Sequence, residues 1–125
     1  MNVLVDSSGW IEYFAKGPKS PVVRPYIHNK QGDTLLTPSI VLFETHKKIK
    51  TEFGEPLAYR AMAYIQDAST VIDLDARMAI NSSEVSLRTK LPLADAVIYA
   101  TSELFRAKIV TLDRHFKGLP NVELL

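Results

Sequence analysis

Asp6, Glu44, Asp95 and Asp113 lie far apart in the chain, yet each stands where an apolar strand ends or a helix begins. Asp6 closes the run Val3-Leu4-Val5, and Asp113 follows Ile109-Val110-Thr111-Leu112. Both are expected at the carboxyl edge of a buried sheet, where open α/β folds bind ligands. Glu44 and Asp95 fall in the first turns of apolar helices. If gathered in one pocket, carboxylates repel by roughly 4 kcal/mol per charged pair at about 4 Å in an effective dielectric near 20. Something cationic must hold them together.

Each acid also has a local explanation. Asp6 and Asp113 can close Asx turns or cap helices at strand exits. Thr111 points to the same side of its strand as Asp113 and can bond a ligand or the backbone. Glu44 has Ile40 and Val41 four and three residues before it, so it faces partly inward and needs a cation, a donor or a raised pKa. Its alternative is a pair with Lys47 or Lys48 one turn on. Asp95 shares the polar side of its helix with Ser102 and Arg106, as a solvated residue would, and the helix dipole favours an anion there.

The elements that must position these acids alternate along the chain. Asn2 to Val5 reads as a strand, followed by a helix carrying Trp10, Ile11 and Phe14 with Ser7 or Ser8 as its cap. A short helix is expected over about Val22 to Asn29, before Gln31-Gly32-Asp33, and Leu35-Leu36 forms the second strand. Thr37-Pro38 reads as N-cap and first helical residue of a helix ending near Phe53-Gly54. Pro56 opens another helix, and Val71-Ile72 is a third strand. Asp75 caps a helix carrying Met78, Ala79, Val85 and Leu87, and Pro92 opens one with apolar residues on two adjoining faces. Ile109-Val110 and Val122-Glu123-Leu124 complete the strands. Short apolar strands separated by helices imply a mostly parallel α/β sheet of about four to five strands with helices on both faces.

The 125 residues fit one domain able to bury roughly two thirds of its unfolded surface. With no cysteine, thiolate ligands and thiol nucleophiles are excluded. The amino terminus shows no basic leader, and no stretch approaches the ~20 apolar residues of a membrane span, so a cytoplasmic protein is expected. Net charge is only +1, but basic residues gather as Lys47-Lys48-Ile49-Lys50, Arg88-Thr89-Lys90 and Arg114-His115-Phe116-Lys117. Beside an acid cluster, such runs suggest a polyanionic substrate.

Four fragments together resemble the PIN-domain ribonucleases of the VapC toxin type. They are Val3-Leu4-Val5-Asp6-Ser7-Ser8-Gly9-Trp10-Ile11, Thr37-Pro38-Ser39 with Glu44 following, Leu91-Pro92-Leu93-Ala94-Asp95-Ala96-Val97-Ile98-Tyr99-Ala100-Thr101, and Val110-Thr111-Leu112-Asp113-Arg114-His115-Phe116. The resemblance implies a single PIN-like α/β domain over residues 1–125. It implies that Asp6, Glu44, Asp95 and Asp113 take the family's acidic positions, with Thr111 and Ser7 as nearby hydroxyls.

An all-oxygen ligand set selects Mg²⁺ or Mn²⁺ over zinc or copper. Asp6 and Asp95 are expected as principal ligands, with Asp113 and Glu44 completing the site directly or through water. Arg88, Lys90, Arg114 and Lys117 are expected to neutralise RNA phosphates around it. The resemblance further implies an endoribonuclease, a cognate VapB-like antitoxin and a homodimer. Competing readings are an RNA-processing PIN nuclease outside any toxin system, a non-catalytic RNA-binding module and a phosphoacceptor domain. The last would need adjacent acids after the first strand, where this chain has Asp6-Ser7-Ser8.

Overall fold

Val3, Leu4 and Val5 are all buried, with no alternation of inward and outward side chains, the mark of a strand covered on both faces. In the computed structural model, which describes residues 1–28 and 32–125, this strand is β1 (Asn2–Val5). After it come α1 (Ser7–Ala15), α2 (Ser20–His28), β2 (Thr34–Pro38), α3 (Ser39–Phe53), α4 (Glu55–Ala68) and β3 (Thr70–Ile72). The chain ends with α5 (Ala76–Thr89), α6 (Leu93–Leu104), β4 (Ala107–Thr111), a 3₁₀ turn (Arg114–Phe116) and β5 (Val122–Leu124).

The five strands are ordered β3-β2-β1-β4-β5, and every neighbouring pair is parallel. The sheet is thus wholly rather than mostly parallel among the described residues. From β1 the chain steps outward to β2 and β3, then returns across β1 to β4. Right-handed crossovers therefore put α1 to α4 on one face and α5 with α6 on the other. The reversal leaves a crevice at the carboxyl ends of β1 and β4, where Asp6 and Asp113 emerge.

Several local expectations change in the folded chain. Asp6 itself caps α1, its carboxylate accepting from Gly9 N–H at 3.2 Å, which frees Ser7 and Ser8 for other partners. Thr37 and Pro38 end β2, and α3 starts at Ser39; the buried Thr37 hydroxyl bonds Ser69 at 2.7 Å instead of capping the helix. Asp75 does cap α5, accepting from Met78 N–H at 2.9 Å, but Leu87 projects to solvent. The second helix ends at His28, so the expected extension to Asn29 and the Gln31 boundary lie outside the described residues.

The largest change concerns α6. Every residue from Asp95 to Ser102 is buried, because α6 packs against α5, β4, β2 and α3 rather than presenting a polar side to water. Asp95 and Ser102 are therefore interior, and Arg106 lies beyond the helix. Gly9 explains how α1 comes so near the sheet: a Cβ there would lie 2.7 Å from Val5 Cγ1.

Candidate active site

The register Val5↔Val110 sets Asp6 beside Thr111 at the end of the paired strands. Asp6 is almost wholly buried, and both carboxylate oxygens are engaged. Oδ2 accepts from the Thr111 hydroxyl at 2.7 Å, and Oδ1 accepts from the Ser8 hydroxyl at 2.6 Å and from Gly9 N–H. Ser8 in turn accepts from Leu112 N–H at 2.9 Å, tying α1 to the segment leaving β4. Thr111 accepts from Asp113 N–H at 2.8 Å. One hydroxyl thus fixes the side chain of one acid and the backbone of another.

Glu44 lies in the second turn of α3 and is half-buried. Its partner is the Ser7 hydroxyl, which donates to Oε1 at 2.9 Å, rather than Lys47 or Lys48. Lys48 instead pairs with Glu52. On the opposite side of the crevice, Asp95 Oδ2 lies 2.8 Å from His115 Nδ1. The same imidazole nitrogen is 3.4 Å from Asp113 Oδ1, which also accepts from His115 N–H at 2.9 Å. Phe116, fully buried at the end of the 3₁₀ turn, anchors this arrangement in the core.

Burial sets the electrostatics. It pushes Asp6 up from 3.8 to about 6, against the lowering effect of Ser8, Thr111 and Gly9, and the Asp113 charge adds to the rise. Glu44 is raised first by burial, opposed by Ser7, then by the charges of Asp95 and Asp113. Asp95 is likewise raised by burial, opposed by its His115 bond, with Asp113 contributing. The Asp113 charge thus bears on all three other acids. His115 shifts upward through its bond to Asp95, then through the Asp113 charge.

Mutually destabilised oxygen ligands fit a hard divalent cation. The tightest donor group is Asp95, Asp113 and His115, whose ligating atoms lie within 4.8 Å of one another and could hold a metal ion. Asp6 and Glu44 flank this group rather than belong to it. Asp6, expected with Asp95 as a leading ligand, lies beside this group with its carboxylate bonded to two hydroxyls and an amide.

The basic residues divide. Arg114 and Lys117 are exposed at the turn that carries His115, and Lys90 is exposed at the end of α5. Arg88 is held by Glu103 at 2.7 Å and lines a cleft with Met1, Ala107 and Asn121, at the amino ends of the strands. That is the sheet edge opposite the acids, so Arg88 is not brought to the site. Ser8 and His115 are the site residues that sequence reasoning passed over. In the sequence Ser8 reads as a cap and His115 as part of a basic run; the signal for His115 is the Asp113-Arg114-His115 spacing, an acid and an imidazole two residues apart after a strand.

The PIN domain family profile matches residues 3–122, nearly the whole chain. The chain belongs to the PIN-domain family. Among solved structures, this PIN chain resembles a toxin-antitoxin complex from Klebsiella pneumoniae at 23% identity and TM-score 0.75, over 97% of this chain and 95% of that one. It resembles Mycobacterium tuberculosis VapC20, described as a sarcin-ricin loop cleaving toxin, at 19% identity and TM-score 0.81, over 98% of both. A third is VapBC2 from Rickettsia felis bound to a DNA fragment from their promoter, at 19% identity and TM-score 0.77, over 100% of this chain and 98% of that one. A direct comparison with curated protein sequences returned no match. Among the described residues no helix is long and apolar enough to cross a membrane.

Proposed function

We propose that this PIN-domain chain is an endoribonuclease dependent on Mg²⁺ or Mn²⁺, formed as one nuclease domain over residues 1–125. In this reading it is the cytoplasmic toxin of a VapBC-type pair, it is held inactive by a VapB-like antitoxin, and it forms a homodimer. The observation that carries the reading is the gathering of Asp6, Glu44, Asp95 and Asp113 at the β1/β4 crevice, with three of them raised by burial and by one another. The toxins named among the structural relatives, one of them a sarcin-ricin loop cleaving toxin, support the assignment.

Asp95 and Asp113 would hold the ion, with Asp6 and Glu44 as further donors directly or through water, and His115 would join them only on giving up its bond to Asp95. When bound, the ion supplies Lewis-acid polarisation of the scissile phosphate and activation of water near neutral pH. The chain's own residues do the positioning. Thr111 and Ser8 lock the Asp6 carboxylate, Ser7 orients Glu44, and His115 keeps Asp95 from turning toward solvent. Lys90, Arg114 and Lys117 neutralise flanking phosphates, and an antitoxin arginine entering the crevice would compete by bidentate bonding to the same acids.

Purified protein incubated with RNA should cut it in Mg²⁺ or Mn²⁺ and not in chelator. Asp95→Ala should lower single-turnover cleavage by about a hundredfold or more while its circular dichroism stays that of the parent. Cleavage at the parent rate by Asp95→Ala would remove Asp95 from the site, and cleavage in chelator would remove the metal.

A further inference from the structure

Phe43 immediately precedes Glu44 on α3 yet is 61% exposed. A single exposed aromatic needs no explanation. This one, however, lines a groove of about 500 Å³ between α1 and α3, and Ser7 and Glu44 line it too. The groove therefore opens out of the acid crevice and leads away from it along both helices. Lys47, one turn beyond Phe43, places its ammonium 5.8 Å from the ring centroid, within cation–π range. Lys48 also lines the groove, paired with Glu52 at 2.7 Å with both side chains exposed. Such a surface pair contributes little in water and exchanges readily for another anion.

An aromatic face flanked by ammonium groups is the arrangement that holds single-stranded nucleic acid, with bases stacking on the ring and phosphates meeting the charges. A helical peptide fits less well. It needs apolar anchors at successive helical turns, whereas among the described residues Ile11 and Phe43 are the only large apolar side chains on these walls.

We propose that this groove is the subsite for the single-stranded RNA adjoining the cleaved bond. Phe43 stacks on the first base beyond the acids, and Lys47 and Lys48 take the phosphates beside it. The inference rests on the nuclease reading and adds to it the residues that seat the substrate strand.

The test is single-turnover cleavage in Mn²⁺ of a short unpaired oligoribonucleotide that the parent cuts, together with copies made abasic at each position flanking the cut. Phe43→Ala should raise the half-saturating RNA concentration roughly tenfold, and Phe43→Tyr should restore it. An abasic site at one flanking position should cost the parent the same factor and cost Phe43→Ala nothing more. Lys47→Gln should reduce the salt slope of RNA binding by about 0.7. The rise in melting temperature with Mn²⁺, measured in each variant, should match the parent and so show an intact acid site. Unchanged half-saturation in Phe43→Ala, or no coupling to any abasic position, overturns the proposal. So does a Phe43→Ala protein that cuts RNA normally but loses affinity for its inhibitory protein partner, which would make the groove a peptide site. A parent that cuts no RNA in Mn²⁺ removes the nuclease reading itself, a result distinct from those three.

Discussion

The Thr111 hydroxyl donates to Asp6 Oδ2 at 2.7 Å and accepts from the Asp113 backbone N–H at 2.8 Å, joining the exits of β1 and β4. Thr111→Val keeps the side chain's shape and deletes both bonds. It leaves a fully buried acceptor short of its donor, so stability should fall by about 1–3 kcal/mol. Urea denaturation of the metal-free protein measures this, and a Mn²⁺ titration followed by melting temperature should show weaker binding. Equal stability together with an equal Mn²⁺ response would mean that the bridge positions nothing.

Asp6 holds its proton more tightly folded, at about 6, than at its ordinary 3.8. Between those values the folded state carries the extra proton, so metal-free stability is greatest at the acid end and declines as pH rises through about 6. A shift of that size corresponds to about 3 kcal/mol. Glu44 and Asp95 are raised as well and act in the same direction. Melting curves in chelator should fall from about pH 4 to about pH 7, with a shallower fall in Asp6→Asn. Mn²⁺ should reverse the trend, its stabilisation growing with pH because it binds the deprotonated acids. Parallel curves for parent and Asp6→Asn would contradict the burial argument.

His115 is raised through its bond to Asp95, which gives the opposite kind of group the same sign. A histidine with an elevated folded value stabilises below its ordinary 6.5 and loses that contribution as pH climbs through the folded value. Metal-free parent and His115→Ala should therefore differ in melting temperature at acid pH and converge when alkaline. Proton NMR titration of the His115 ring should show its pKa dropping in Asp95→Asn. An unchanged titration would indicate that the Asp95 contact does not persist in solution.

Gly9→Ala sets two effects against each other. Alanine favours a helix by about 1 kcal/mol, but its methyl group would meet Val5 Cγ1 at 2.7 Å. Overpacking of that kind costs about 1–3 kcal/mol. The expected net result is a modest loss of stability and a smaller Mn²⁺-induced rise in melting temperature, because α1 must lift away with Ser7 and Ser8. A stabilised Gly9→Ala with parental Mn²⁺ response would show that α1 yields without disturbing the acids.

The chain's own pattern was enough to place strands, helices and the exits where Asp6 and Asp113 stand. Apolar runs such as Val3-Leu4-Val5 and Ile109-Val110 can lie only in a covered sheet, and an acid that ends such a run must stand at its edge. Periodicity could not say what would cover each face. Asp95 falls on the more polar side of its helix, yet α6 is packed on all sides, so a residue that reads as solvated became interior. Choice among competing hydrogen-bond donors was likewise decided in three dimensions. Asp6 caps α1, Ser8 and Thr111 close over Asp6, and Ser7 reaches Glu44 across 37 positions of sequence. Long side chains were the least legible. Arg88 and His115 each stand in a basic run, but Glu103 draws Arg88 to the far edge of the sheet, and the buried Phe116 holds His115 over Asp95 and Asp113. Local sequence determines where a backbone leaves its element. Which partner a flexible charged side chain meets depends on segments brought near only by the fold.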